Sequence, residues 1–151
     1  MSSRLEARIS GVGKLLARLG EVQNVIFSAV ATEVAAGAMA IHADAVKSIQ
    51  AKASSGGTVK RYSPKRVQVV SAQGNPPNTD LGTLVHSIHF EIDKANFTAV
   101  VGTNLLYGKF LETGTGKMKA RPWLLPAFQR HSDEIRRNVS EAIRNAIRGS
   151  R

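Results

Sequence analysis

Between Val22 and Ala53 the chain runs for 32 residues with no proline and a single interior glycine, Gly37. Alanine, the best helix former, dominates the stretch, and nothing in it interrupts an α-helix. Val30, Val34, Ile41, Ala45 and Ile49 recur at spacings of four and seven, the apolar stripe of an amphipathic helix. Ala31, Ala35, Ala36, Ala38 and Ala40 leave little side-chain bulk, so a second helix can approach closely. The prediction is a long helix with a packing partner. Ahead of it, Ile9 to Gly20 reads as a lead-in and a brief helix, with Gly20 as its stop.

The remainder mixes strand and helix patterns. Residues 54–80 begin with Ser54-Ser55-Gly56-Gly57, carry Lys60, Arg61, Lys65 and Arg66 around Pro64, and end in Gly74-Asn75-Pro76-Pro77-Asn78. This composition predicts a long, flexible basic arm with at most a short strand at Val67–Val70. Leu84–Asp93 and Phe97–Thr103 read as two strands around a tight turn at Lys94-Ala95-Asn96: Ile88, Phe90 and Ile92 alternate with His89, Glu91 and Asp93, and Phe97, Ala99 and Val101 share one face, the pattern of a half-buried antiparallel hairpin. Leu105–Thr113 predicts a short helix stopped by Gly114-Thr115-Gly116, and Pro122 to about Arg148 predicts a terminal helix. That helix carries the stripe Phe128, Ile135, Val139, Ile143 and Ile147, with Arg130, Arg136, Arg137, Arg144 and Arg148 around the remainder. The order gives an α+β domain spanning 1–151: a long N-terminal helix, an antiparallel β-hairpin with an extended arm, and a basic C-terminal helix.

Charge narrows the partners. Of a net charge of +10, residues 102–151 supply +6, with ten basic and four acidic side chains. A concentrated positive field attracts polyanions, nucleic acid foremost. The first residues lack the apolar core of a secretory signal, so a cytoplasmic site of synthesis is expected. No unbroken apolar run approaches the ~20 residues of a membrane span, and no membrane partner is expected. With no cysteine, disulfides, thiol catalysis and Cys-based zinc sites drop out together.

The candidate catalytic motifs are poor ones. Gly114-Thr115-Gly116-Lys117 resembles a phosphate loop only superficially: Leu111 stands where its first glycine belongs, and Met118 replaces the magnesium-binding Ser or Thr. His86 and His89 are three apart in a predicted strand and point to opposite faces. His42 and His131 have no histidine or acid at i+4, and Glu112 alone makes no acid–base pair. The reading is a protein without catalysis, cofactor or metal.

Three blocks, in order, resemble the tail-component family of the neck modules of HK-type siphophages. The first is Ile9-Ser10-Gly11-Val12 with Leu15, Leu16 and Leu19 and the long helix behind them. The second is Pro77, then Leu81-Gly82-Thr83-Leu84 and Ser87-Ile88, with Leu81 where that family has Thr. The third is Gly102-Thr103, Tyr107 to Thr115, and Met118-Lys119-Ala120-Arg121-Pro122-Trp123-Leu124-Leu125-Pro126-Ala127. The resemblance spans nearly the whole chain, residues 54–76 least. It implies a structural subunit of a virion ring, hexameric in the family, acting in tail completion or head–tail joining. The ring would be assembled in the host cytoplasm against head-closure or connector proteins and tail-tube or terminator proteins, with DNA in its channel.

Within the third block, Tyr107, Phe110 and Leu111 are expected to pack the short helix on the hairpin. Glu112 and Arg121 are expected to pair across the glycine turn, and Pro122 and Trp123 to open the last helix. Tyr107, Phe110, Glu112, Arg121 and Trp123 are the candidate interface residues. Lys60, Arg61, Lys65, Arg66, Arg136, Arg137, Arg144 and Arg148 are the candidates for meeting DNA or a partner. The competing reading is a free, sequence-independent nucleic-acid-binding protein, which explains the charge but not the third block.

Overall fold

The computed structural model describes residues 12–52 and 55–149. The expected lead-in at Ile9–Gly11 lies outside them, as do Ala53 and Ser54. The elements are α1 (Val12–Gln50), β1 (Ser55–Tyr62), β2 (Lys65–Ser71), α2 (Thr83–Ser87), β3 (Ile88–Asp93), β4 (Thr98–Thr103), α3 (Leu106–Thr113) and α4 (Leu125–Gly149). The molecule is α+β, with a long N-terminal helix, two separate antiparallel hairpins and a basic C-terminal helix.

The 39 residues of α1 make a rod roughly 58 Å long at 1.5 Å per residue. Gly20 does not stop it. A glycine inside a helix costs only about 1 kcal/mol relative to alanine, and its neighbours Ala17, Leu19, Glu21 and Gln23 are mostly good formers. The C-terminal half of the rod buries Ala38, Ile41, Ala45 and Ile49. Leu84, Ile88, Trp123 and Ala127 complete that core. The partner helix is α4, which runs antiparallel to α1: Asp44 meets Arg130 and His131, while Gly37 lies against Ile135. A Cβ at Gly37 would sit 2.7 Å from Ile135 carbons, so the lone interior glycine marks the close approach of the two helices.

Residues 55–71 form a hairpin in place of the long loop expected there. Its register pairs Lys60 with Val67, Arg61 with Arg66 and Tyr62 with Lys65, and the Ser63–Pro64 peptide at the turn is cis. Val59 pairs with Gln68 and Thr58 with Val69, while Val67 and Val69 lie exposed, so no buried apolar face marks this hairpin in the sequence. Leu84–Ser87, predicted as strand, lies in the helix α2. Gly82 precedes it at φ 78°, and the Ser87 hydroxyl donates back to the Leu84 carbonyl at 2.8 Å. β3 and β4 then pair from Ile88↔Thr103 to Asp93↔Thr98. Asp93 closes their turn by accepting the N–H groups of Ala95 and Asn96 at 3.0 and 3.2 Å.

By length and composition one helix among the described residues, Gly13–Gln50, is apolar enough to cross a membrane, with a mean hydropathy of 1.6 over an 18-residue window. Its alanines are interspersed with residues such as Thr32, Glu33 and His42, so no unbroken apolar run marks it in the sequence.

Candidate functional site

The third block forms a structural joint between α3 and α4. α4 begins at Leu125, so Pro122 and Trp123 precede the helix instead of opening it. The N–H groups of Trp123, Leu124 and Leu125 donate to the Glu112 carboxylate at 2.8, 3.0 and 2.8 Å. Leu125 opens α4 and Trp123 and Leu124 immediately precede it, so these N–H groups gather at the start of the helix, where intrahelical acceptors are missing and the positive end of the helix dipole favours an anion. Glu112 is therefore the cap of α4, and the pairing with Arg121 that the sequence predicts does not form. Arg121 turns instead to the first hairpin, where its Nε donates to the Ser71 carbonyl at 3.2 Å. Three unpaired N–H groups next to a carboxylate outcompete one guanidinium with another acceptor within reach.

Trp123 is 2% exposed, and its indole N–H donates to the Gly108 carbonyl at 3.2 Å. A Cβ at Gly108 would lie 2.6 Å from Thr103 and 3.1 Å from Leu84, so the missing side chain lets α3 lie close on β4 and α2. Trp123 is therefore a core residue. Tyr107 and Phe110, expected to pack α3 on the hairpin, are instead substantially exposed, and Leu111 alone of the three packs against the core. Burial raises the Tyr107 phenol above its ordinary value of 10.0.

Two concavities flank this joint. One, of about 580 Å³, lies between the first hairpin and α3, and Arg61, Arg66, Tyr107, Leu111 and Arg121 are among its walls. Its charges are largely engaged: Arg66 pairs with Asp80, and the Arg61 Nε donates to Gln68 at 2.8 Å. The other, of about 830 Å³, is an apolar groove between α1, β4 and the start of α4, walled by Val34, Ala38, Ile41, Val101, Leu124 and Phe128. Phe128 was expected on the buried stripe of α4, but it is 51% exposed on the groove. Ile135, Val139 and Ile143 are half-buried, and Ile147 is exposed.

The basic candidates divide by setting. Lys60 and Lys65 are exposed near the tip of the first hairpin, beside the exposed Tyr62. Arg136, Arg137, Arg144 and Arg148 are all exposed on α4, Arg136 in a loose pair with Asp133 at 3.5 Å. The structure thus makes two basic regions and does not gather them into one site. Among the described residues, no three His, Asp or Glu side chains come together as a metal site.

Sequence reasoning missed two features. One is the cluster in which Asp44 accepts from Arg130 at 2.8 Å, with His131 at 3.3 Å; no local spacing signals it, because its members are 86 residues apart. The other is the exposure of Leu15, Leu16 and Leu19 on the end of α1, hidden by treating that end as a separate helix. Compared with protein-family models, characterised protein sequences and solved structures, the chain finds no match.

Proposed function

We propose that the protein is a structural subunit of a ring at the head–tail neck or tail end of a tailed bacteriophage, acting in tail completion or head–tail joining. The observation that carries the reading is the shape of the chain outside its core. The first part of α1 and the tip of the first hairpin both stand away from the buried cluster and expose large apolar and basic side chains, Leu15, Leu16, Leu19, Lys60, Tyr62 and Lys65. A lone monomer gains nothing from such extensions, whereas a subunit with neighbours buries them. The third block, which carries the resemblance to the neck family, supports the same reading: it is a rigid joint holding α4 and presenting its arginines. In this account the partners are further copies of the chain, connector or head-closure proteins on one side and tail-tube or terminator proteins on the other. DNA passes the basic faces, and the site of action is the virion.

Negative-stain microscopy of the purified protein mixed with its neighbouring tail proteins should show closed rings. A free nucleic-acid-binding protein is the second reading, favoured by the exposed arginines of α4. It predicts retardation of duplex DNA by the protein alone at low salt, with affinity falling steeply as salt rises. Exchanging Arg136, Arg137, Arg144 and Arg148 for Gln should leave the melt within about 2 kcal/mol of wild type, because surface changes each cost at most ~0.5 kcal/mol. In the ring reading the same variant lowers infectious yield or DNA retention; a fully infectious particle carrying it would remove these arginines from function.

A further inference from the structure

The helix α1 outruns the fold that packs on it. Antiparallel packing sets Ile135 of α4 against Gly37, and α4 ends fourteen residues later at Gly149. Its last turn therefore falls level with about residue 23 of α1, taking 1.5 Å per residue on both helices. The tip of the second hairpin meets α1 at Phe27, whose ring lies 5.1 Å from that of Phe97. Residues 13–22 thus project by about 15 Å, and Leu15, Leu16 and Leu19 on them are 60, 62 and 56% exposed. These three leucines occupy roughly 100° of the helix circumference, a coherent stripe in line with the face that α4 covers further along.

The chain also carries the open apolar groove beside Val34, Ala38 and Ile41, whose outer wall includes Leu125 and Phe128, each more than half exposed. The projecting end cannot reach this groove within its own molecule. Leu19 and Val34 sit on one continuous helix, fifteen residues or about 22 Å apart. A second copy can bring them together.

We propose that the groove seats the N-terminal end of α1 from a second copy of this chain, so that copies join head to tail. The proposal deepens the ring reading and rests on it only for closure. Area favours this occupant over the pairing of two projecting ends. Three leucines leave roughly 100 Å² each to cover, so two ends side by side bury about 600 Å², below the ~1,000 Å² of a specific interface. A ten-residue helix held between two groove walls covers its flanks as well and reaches about 1,000 Å². A contact between two different surfaces also generates a ring or a filament, which a self-complementary patch does not. A lipid surface fits less well, because Lys14, Arg18 and Glu21 interrupt the projecting segment and ten residues fall far short of a span.

The chain has no cysteine, so introduced thiols report contacts cleanly. Leu19→Cys and Leu125→Cys, both at exposed positions, are made singly and together and oxidised under mild conditions. The expected result is a cross-linked dimer when the two single variants are mixed, nothing from either alone, and a ladder from the double variant. Dimerisation of Leu19→Cys by itself would show the stripe meeting its own copy and overturn the proposal. Absence of any cross-link in the mixture overturns it too, as does flotation of the wild type with vesicles of anionic phospholipid that is lost in Leu16→Glu/Leu19→Glu. A ladder that lengthens without ever closing keeps the head-to-tail contact and removes the ring.

Discussion

Replacing Glu112 by alanine removes the acceptor for three N–H groups at once, at the start of a 25-residue helix that forms one side of the core. A hydrogen bond to a charged group contributes about 1.5–3 kcal/mol, but the three share one carboxylate and cannot be summed. The Leu125 end is exposed, so water replaces part of what is lost there. A helix cap is typically worth 0.5–2 kcal/mol, and the helix dipole adds up to about 2 kcal/mol in a partly buried setting. The expected destabilisation by Glu112→Ala is therefore about 3 kcal/mol. In a domain of this size that lowers the melting temperature by roughly 6–12 °C. Glu112→Gln keeps one carbonyl oxygen, which can accept two bonds, but loses the charge; it should fall near 1–2 kcal/mol. Urea unfolding followed by circular dichroism measures both, as shifts of midpoint at constant slope. An alanine variant within about 0.5 kcal/mol of wild type, or a Gln variant less stable than the alanine one, would refute the capping argument.

Acid should weaken the contact between α1 and α4. The hydrogen bond from Arg130 holds the Asp44 carboxyl below its ordinary value of 3.8, the Arg130 and His131 charges add to this, and burial opposes it. A depressed folded-state value means stability that is fully present above the unfolded value and lost as pH falls through the folded one. Wild type should thus lose more stability than Asp44→Asn between about pH 5 and pH 2.5, read as urea midpoints; equal losses would assign the acid limb to other carboxylates. Gly114 has φ 76° and ψ −178°, a region open essentially to glycine, and a Cβ there would lie 2.9 Å from backbone atoms of Met118 and Ala120. Gly114→Ala should cost about 1–3 kcal/mol in the same assay, and a neutral result would contradict the strain argument.

The parts of the fold legible in sequence are those whose pattern is local. Ile41, Ala45 and Ile49 recur at helical spacing and are buried together, and Phe90 to Ile92 alternate as a strand does. The continuity of α1 through Gly20 is not legible in the pattern, because the penalty of one glycine is smaller than the gain from continuing through good helix formers. Leu84-Val85-His86-Ser87 lacks the strict alternation of Ile88–Asp93, and the left-handed Gly82 and the Ser87 hydroxyl favour a helical turn there, neither of them visible in a periodicity. At the joint, the sequence located the important block but not its bonds. Glu112 and Arg121 are close along the chain with opposite charges, yet the backbone path brings three N–H groups to the carboxylate and carries the guanidinium to Ser71, fifty residues away. The groove was beyond sequence reasoning for a related reason: Val34, Val101 and Phe128 come from three distant segments.

The central claim is a place in a virion, and electron cryomicroscopy of purified phage particles carrying this chain tests it most directly. The account predicts a ring of density at the junction of head and tail in which every subunit shows a rod about 58 Å long matching α1, with its free end against the neighbouring copy. Particles in which the protein is absent, or present without a ring at the neck or tail end, would contradict it.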